Sequence, residues 1–124
     1  MPACENQPAA EGFGSSFQSI FEPVKTELGA VSDRLVEVIA SNEPVIRDRL
    51  LFLLDPRGKM IRPALVLLSG KACGDAGRDH IELGAIAELI HSATLLHDDV
   101  IDRASVRRGR PSANVLWGNT AAVL

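Results

Sequence analysis

An apolar run that closes on three carboxylates, Leu95-Leu96-His97-Asp98-Asp99-Val100-Ile101-Asp102, constrains this chain more than any other stretch. At about 100° per residue, a helix stacks Asp98 and Asp102 one turn apart on one face, with Asp99 beside them. Crowded anions repel one another and become favourable when a hard cation sits between them. Mg²⁺ takes one or two protein carboxylates, and substrate phosphate and water complete its octahedron. Five residues on, Arg107-Arg108-Gly109-Arg110 supplies planar guanidinium forks that match phosphate oxygens. Together the two stretches point to a magnesium-diphosphate site, set against the plainer alternative of a solvated helix end.

Two upstream segments support the first alternative. Gly58-Lys59-Met60-Ile61-Arg62-Pro63 places two cations three residues apart, ahead of a run of good helix formers. Proline suits the first helical position, so Lys59 and Arg62 fall at or before a helix N-terminus, where backbone N–H groups also favour anions. Glu88-Leu89-Ile90-His91 leads into the acids. His91 precedes Asp98 by seven residues, nearly two turns, which puts the two on one face about 10 Å apart along the axis.

The absence of tyrosine, the few aromatics and the many alanines and leucines favour helix over strand, and 46% hydrophobic residues can fill one core in a chain of 124. The expected fold class is all-α. A formal net charge of −3 gives no global basic surface and argues against nucleic acid as a partner; the basic residues gather locally at 103–110. Cys4 and Cys73 are too few for a disulfide framework or a cysteine-type zinc site. No apolar stretch is long enough for a transmembrane segment, and the first 16 residues lack a signal-peptide core. These features read as a cytoplasmic protein.

Residues 1–15, rich in glycine, alanine, proline and polar side chains, read as a disordered tail, and 16–124 as part of one domain without internal repeats. Phe17, Ile20, Phe21, Val24, Leu28, Val31, Leu35, Val38 and Ile39 recur at helical spacing, with Pro23 either near the start of that helix or kinking it. Ser41-Asn42-Glu43-Pro44 interrupts, and a shorter helix spans 45–54 before Asp55-Pro56-Arg57-Gly58. A third helix is expected over 63–72 and a fourth, carrying the acids, over 79–102. Residues 103–111 read as loop, and Ser112 is placed to cap a fifth helix containing Trp117, which reads as a packing residue.

The segments GKxxRP (58–63), ExxHxxxLLHDDxxD (88–102) and RRGxPSxN (107–114), in this order and spacing, resemble the N-terminal half of the trans-type isoprenyl diphosphate synthases, the polyprenyl synthetase family. The resemblance covers roughly 17–124. It implies the N-terminal part of the isoprenoid synthase helical bundle, with the acids on a long core helix. It also implies an enzyme that joins isopentenyl diphosphate to an allylic diphosphate with Mg²⁺, as a homodimer when full length. By matched position, Asp98, Asp99 and Asp102 correspond to the first aspartate-rich catalytic motif, whose outer acids, Asp98 and Asp102, hold magnesium against the allylic diphosphate. Lys59, Arg62, His91 and Arg108 match the grip on isopentenyl diphosphate, and Arg107 matches an allylic-diphosphate contact. Thr94 and Ala93, four and five residues before Asp98, match the floor that limits product length. Both are small, which implies a long-chain product.

The second aspartate-rich motif of that family is missing, and the chain stops at Ala121-Ala122-Val123-Leu124 within an apolar run. It therefore reads as a truncated synthase, expected to self-associate and to lack turnover alone. Three other readings stay open. A terpene cyclase shares the acids but needs no second diphosphate pocket. A metal phosphohydrolase would use His97-Asp98 with His80 or His91. A non-catalytic partner or fragment would bind magnesium and diphosphate without reaction.

Overall fold

Pro23 breaks the first helical run. In the computed structural model, which describes residues 19–53 and 58–123, it lies at the first positions of a 3₁₀ turn, Glu22–Val24, that runs straight into helix α1, Lys25–Ala40. Residues 19–21 before it are already helical, so the proline interrupts the run: the backbone tightens into the 3₁₀ turn and Val24, at φ −122° and ψ 13°, leaves helical geometry before α1 resumes it. Val24, Val31, Leu35 and Ile39 are buried along one stripe. Each such side chain contributes about 1.5–3 kcal/mol on burial. The Oγ of Ser41 and the Nδ2 of Asn42 both donate to Val38 O at 2.7 Å and satisfy a carbonyl that the helix end leaves open.

Helix α2 is Pro44–Leu53, α3 is Ile61–Ala72, α4 is Arg78–Ile101 and α5 is Ala113–Val123. Helix α3 begins two residues earlier than its proline suggests. Met60, in the left-handed region at φ 51°, turns the chain into it, and Pro63 sits within the first turn, where no intrahelical donor is needed. Arg62 consequently belongs to the helix and Lys59 precedes it. The disordered tail expected over 1–15, the contribution of Phe17, the Cys4 thiol and the turn at 55–57 lie outside the described residues.

Helix α4 is central, packed by α1, α3 and α5. Val24, Val31, Leu35, Leu67, Ala76 and Ala85 form the core, with Leu28, Met60, Leu68, Ile81 and Leu89 against it. At Gly84 a Cβ would stand 3.3 Å from Val31 and 3.4 Å from Pro63, so the glycine lets the three helices meet closely here. Ion pairs edge the contact: Lys71 to Glu27 at 2.7 Å, and Arg34 to Glu82 at 2.9 Å. The expectation of self-association rests on the face of α4 bearing His91, Thr94 and Leu95, of which Thr94 is exposed and the other two half-buried; Leu83, Ile86 and Ile90 are exposed apolar residues on the same helix.

The segment after α4 is more ordered than a loop. Val106–Arg107 (β1) pairs antiparallel with Arg110–Pro111 (β2), Val106 opposite Pro111 and Arg107 opposite Arg110. The two residues between, Arg108 and Gly109, have φ of 49° and 78°, the paired left-handed geometry of a tight I′ hairpin. Ser112 does not cap α5 through its side chain. Its buried hydroxyl donates back to Ala104 O at 2.7 Å, Asn114 Nδ2 donates to the same carbonyl at 3.0 Å, and together they tie the hairpin base to the helix. Helix α5 is kinked at Gly118, φ 82°. Just before the kink, half-buried Trp117 meets Phe52 edge-on at 5.0 Å and lies under Arg49 at 5.7 Å, seating α2 on α5.

Candidate functional site

Three separate elements bring their basic groups to one cleft. Lys59 and Arg62 arrive at the start of α3, His91 from the middle of α4 and Arg108 from the hairpin tip; with Gly58, Met60, Ile61 and Glu88 they line a cavity of about 410 Å³. Local backbone geometry puts them there. Both Met60 and Arg108 are left-handed, a conformation that costs a non-glycine residue about 1–3 kcal/mol and persists only where the surroundings impose it. All four residues expected to grip one diphosphate thus converge, and the helix N-terminus beside them adds backbone N–H groups.

A second cavity of about 460 Å³ continues from the first, sharing Gly58, Met60, Glu88, His91 and Arg108, and reaches Asp99 and Arg107. Its far side is apolar, with Leu35, Val36, Leu51, Phe52, Leu95 and Leu96. Here Arg107 meets Asp99: Nε donates to Oδ2 at 2.6 Å and Nη2 to Oδ1 at 2.8 Å. The hydrogen-bonded Asp99 carboxylate, and then the charges of Asp99 and Asp98, hold the Arg107 guanidinium above its ordinary range, against the opposing effect of burial. It stays a cation.

Asp98 and Asp102 stand apart from both cavities, exposed at the end of α4 with Asp102 as its C-cap residue. Helical dihedrals at Asp102 (φ −79°, ψ −4°) keep it one turn beyond Asp98 on the same face. The last turn of α4 holds no basic residue, so three carboxylates oppose the negative end of the helix dipole. A divalent cation would relieve that repulsion, and two exposed carboxylates one turn apart suit a metal that takes one or two of them. Among the described residues no group of three or more His, Cys, Asp or Glu is close enough to form a metal cage. His97, the residue on which a phosphohydrolase reading depends, has its Nε2 3.3 Å from Val123 O, a contact to α5.

Ala93 and Thr94 lie exposed on α4. The Thr94 hydroxyl donates to His91 O at 2.7 Å, so its polar atom is occupied within the helix. Two features escaped sequence reasoning: the hairpin and the Asp99–Arg107 pair. The first lacks the usual Asn-Gly or Asp-Gly signal at its turn. The second was readable in part, because Asp99 falls on the stripe of Glu88, Ser92 and Leu95, which faces the protein, while Asp98 falls on the solvent side.

Residues 43–124 match the family model described as Polyprenyl synthetase. The chain is 40% identical over 108 residues to the all-trans-nonaprenyl-diphosphate synthase (geranyl-diphosphate specific) of Rhodobacter capsulatus, covering 86% of this chain and 33% of that protein. It is 36% identical over 109 residues to octaprenyl diphosphate synthase of Escherichia coli K12, covering 88% and 34%. The polyprenyl synthase of Caulobacter crescentus CB15, solved with calcium and isoprenyl diphosphate, superposes with a TM-score of 0.79 at 28% identity, covering 86% and 33%. The chain thus spans about a third of the length of these relatives. No helix among the described residues is long and apolar enough to cross a membrane. With its ordered motifs, its helical-bundle architecture and these matches, the chain belongs to the polyprenyl synthetase family.

Proposed function

We propose that this chain supplies the isopentenyl-diphosphate pocket and one metal-binding wall of a prenyltransferase that joins isopentenyl diphosphate to an allylic diphosphate. The observation that carries the reading is the convergence of Lys59, Arg62, His91 and Arg108 in one cleft, with Arg107 in the adjoining cavity. Two neighbouring cationic positions fit two diphosphates, which is the requirement that separates this reaction from a cyclase.

In this reading Lys59, Arg62, His91 and Arg108 hold isopentenyl diphosphate so that its alkene lies within reach of the allylic carbon. Asp98 and Asp102 hold Mg²⁺, which when bound offsets the charge of the departing diphosphate. Arg107 adds a fixed cation on the same leaving group. As that C–O bond breaks, the alkene attacks the allylic cation, and the proton lost afterwards passes to the released pyrophosphate, so no side chain need act as base. The small Ala93 and the internally bonded Thr94 leave an apolar, open face along α4, which supports a long-chain polyprenyl product. The name of the nonaprenyl-diphosphate relative points the same way. Magnesium as the metal, a homodimer and a cytoplasmic setting belong to the proposal through the family.

Titration with isopentenyl diphosphate tests the pocket. Arg62→Ala or Arg108→Ala should weaken binding about ten- to a hundredfold, the value of a charge-assisted contact. Asp98→Ala, measured without magnesium, should leave that affinity unchanged. In a polypeptide carrying the whole synthetase domain, Asp98→Ala or Asp102→Ala should lower turnover by orders of magnitude, and Arg62→Ala should raise KM for isopentenyl diphosphate more than for the allylic primer. Equal effects of Arg62→Ala on both substrates would show that the pocket is wrongly assigned.

A further inference from the structure

Of the three carboxylates at the end of α4, Asp99 alone is buried, at 5% exposure. A buried anion is tolerated only when paired and hydrogen-bonded, and Arg107 meets it at two points, Nε on Oδ2 and Nη2 on Oδ1. The second hydrogen of Nη2 goes to Leu95 O at 3.2 Å, one turn earlier on α4. A guanidinium has five N–H bonds, so three are committed to α4. The two on Nη1 are left, and among the described residues nothing accepts from them.

We propose that Asp99 is a positioning residue: it clamps Arg107 so that Nη1 faces an incoming diphosphate, and it takes no share in holding the metal. The assignment rests on the diphosphate reading above and gives the middle acid of the motif a task different from its neighbours. It also explains why the cluster tolerates three acids. Arg107 neutralises Asp99 and leaves Asp98 and Asp102 to the cation.

The test is a titration of the chain with inorganic pyrophosphate at a series of Mg²⁺ concentrations, for wild type, Asp99→Asn, Arg107→Gln, the double variant and Asp98→Asn. Asp99→Asn and Arg107→Gln should each weaken pyrophosphate about tenfold or more, and the double variant should be no weaker than Arg107→Gln alone, the non-additivity of residues acting as one unit. The Mg²⁺ concentration giving half-maximal pyrophosphate binding should move in Asp98→Asn and stay put in Asp99→Asn. Additive losses in the double variant, or a magnesium shift in Asp99→Asn as large as that in Asp98→Asn, would overturn the assignment and leave the diphosphate site standing. Failure of the wild type to bind pyrophosphate at any magnesium concentration would overturn both. Should Asp99→Asn lose its helical circular dichroism, Arg107→Lys decides, since it keeps the buried charge matched. A lysine drawn onto Asp99 has no second edge to offer, so pyrophosphate affinity should fall at least about fivefold. Wild-type affinity in that variant would sink the proposal.

Discussion

Through its N-terminal half α4 meets α1 and α3 over small residues, whereas its last turn carries three carboxylates with no basic residue among them. In the first region the packing preferences agree, with one exception, the buried His80 Nδ1, which has no hydrogen-bond partner among the described residues. Gly84 admits Val31 and Pro63, Gly70 on α3 leaves room for the His80 ring, and salt bridges edge the contact. In the second, preferences conflict. Acids oppose the helix dipole, and Arg103 and Arg108 take left-handed backbone at φ 53° and 49°. Conflict of charge with backbone, gathered around a basic cleft, marks where a ligand supplies the missing interactions.

Substitutions in the first region should have the largest effect on stability. Leu67→Ala, at a fully buried position between α3 and α4, should cost about 2–5 kcal/mol in denaturant unfolding through lost burial and the cavity left behind. The core would have to be assigned elsewhere if the loss were below about 1 kcal/mol. Next comes Gly70→Ala, whose Cβ would fall 2.6 Å from His80 Cδ2. The ring must shift, and overpacking of this kind costs about 1–3 kcal/mol. His80→Ala should rescue Gly70→Ala if the ring is the obstacle; an additive double variant would place the strain elsewhere.

The first region is also the one that could be read from sequence. Val24, Val31, Leu35 and Ile39 declared the α1 stripe by spacing alone. Outside that region, Lys59, Arg62, His91 and Arg108, expected from their motif positions to grip one diphosphate, line a common cavity. The second region resisted because its order comes from long-range contacts. Nothing in Ser105-Val106-Arg107-Arg108-Gly109-Arg110 alternates strongly enough to announce a hairpin, and its pairing is held by Ser112 and Asn114 meeting Ala104. Likewise, helical periodicity separates Asp99 from Asp98 by about 100° but cannot say that an arginine eight residues later returns to it.

Asp98→Asn should sharpen the comparison with the opposite sign. Removing one charge from the negative end of α4 relieves both the dipole and the repulsion from Asp102, so the metal-free chain should gain about 0.3–1 kcal/mol. The same change should abolish any rise in thermal midpoint on adding Mg²⁺. A stabilised variant that has lost its magnesium response would show that this turn trades stability for binding. Destabilisation without magnesium would mean that Asp98 serves the fold.

The smallest effect concerns an ion pair at the edge of the first region, where Lys71 on α3 reaches Glu27 on α1 at 2.7 Å. The hydrogen bond from Lys71, then a backbone hydrogen bond and the lysine charge, hold Glu27 below its ordinary value of 4.5 despite some opposing desolvation. A carboxylate whose folded value is depressed stabilises the fold above its unfolded value, and that contribution fades as pH falls through the lower, folded one. Wild type should therefore exceed Lys71→Ala slightly in thermal midpoint at about pH 7, and the gap should close as the pH is taken well below the ordinary glutamate range. Because solvent still reaches both side chains, added salt should narrow the gap at neutral pH as well. A gap of equal size at about pH 3 and about pH 7 would show that Lys71 acts through the packing of its methylene stem against α1, and that its charge contributes nothing.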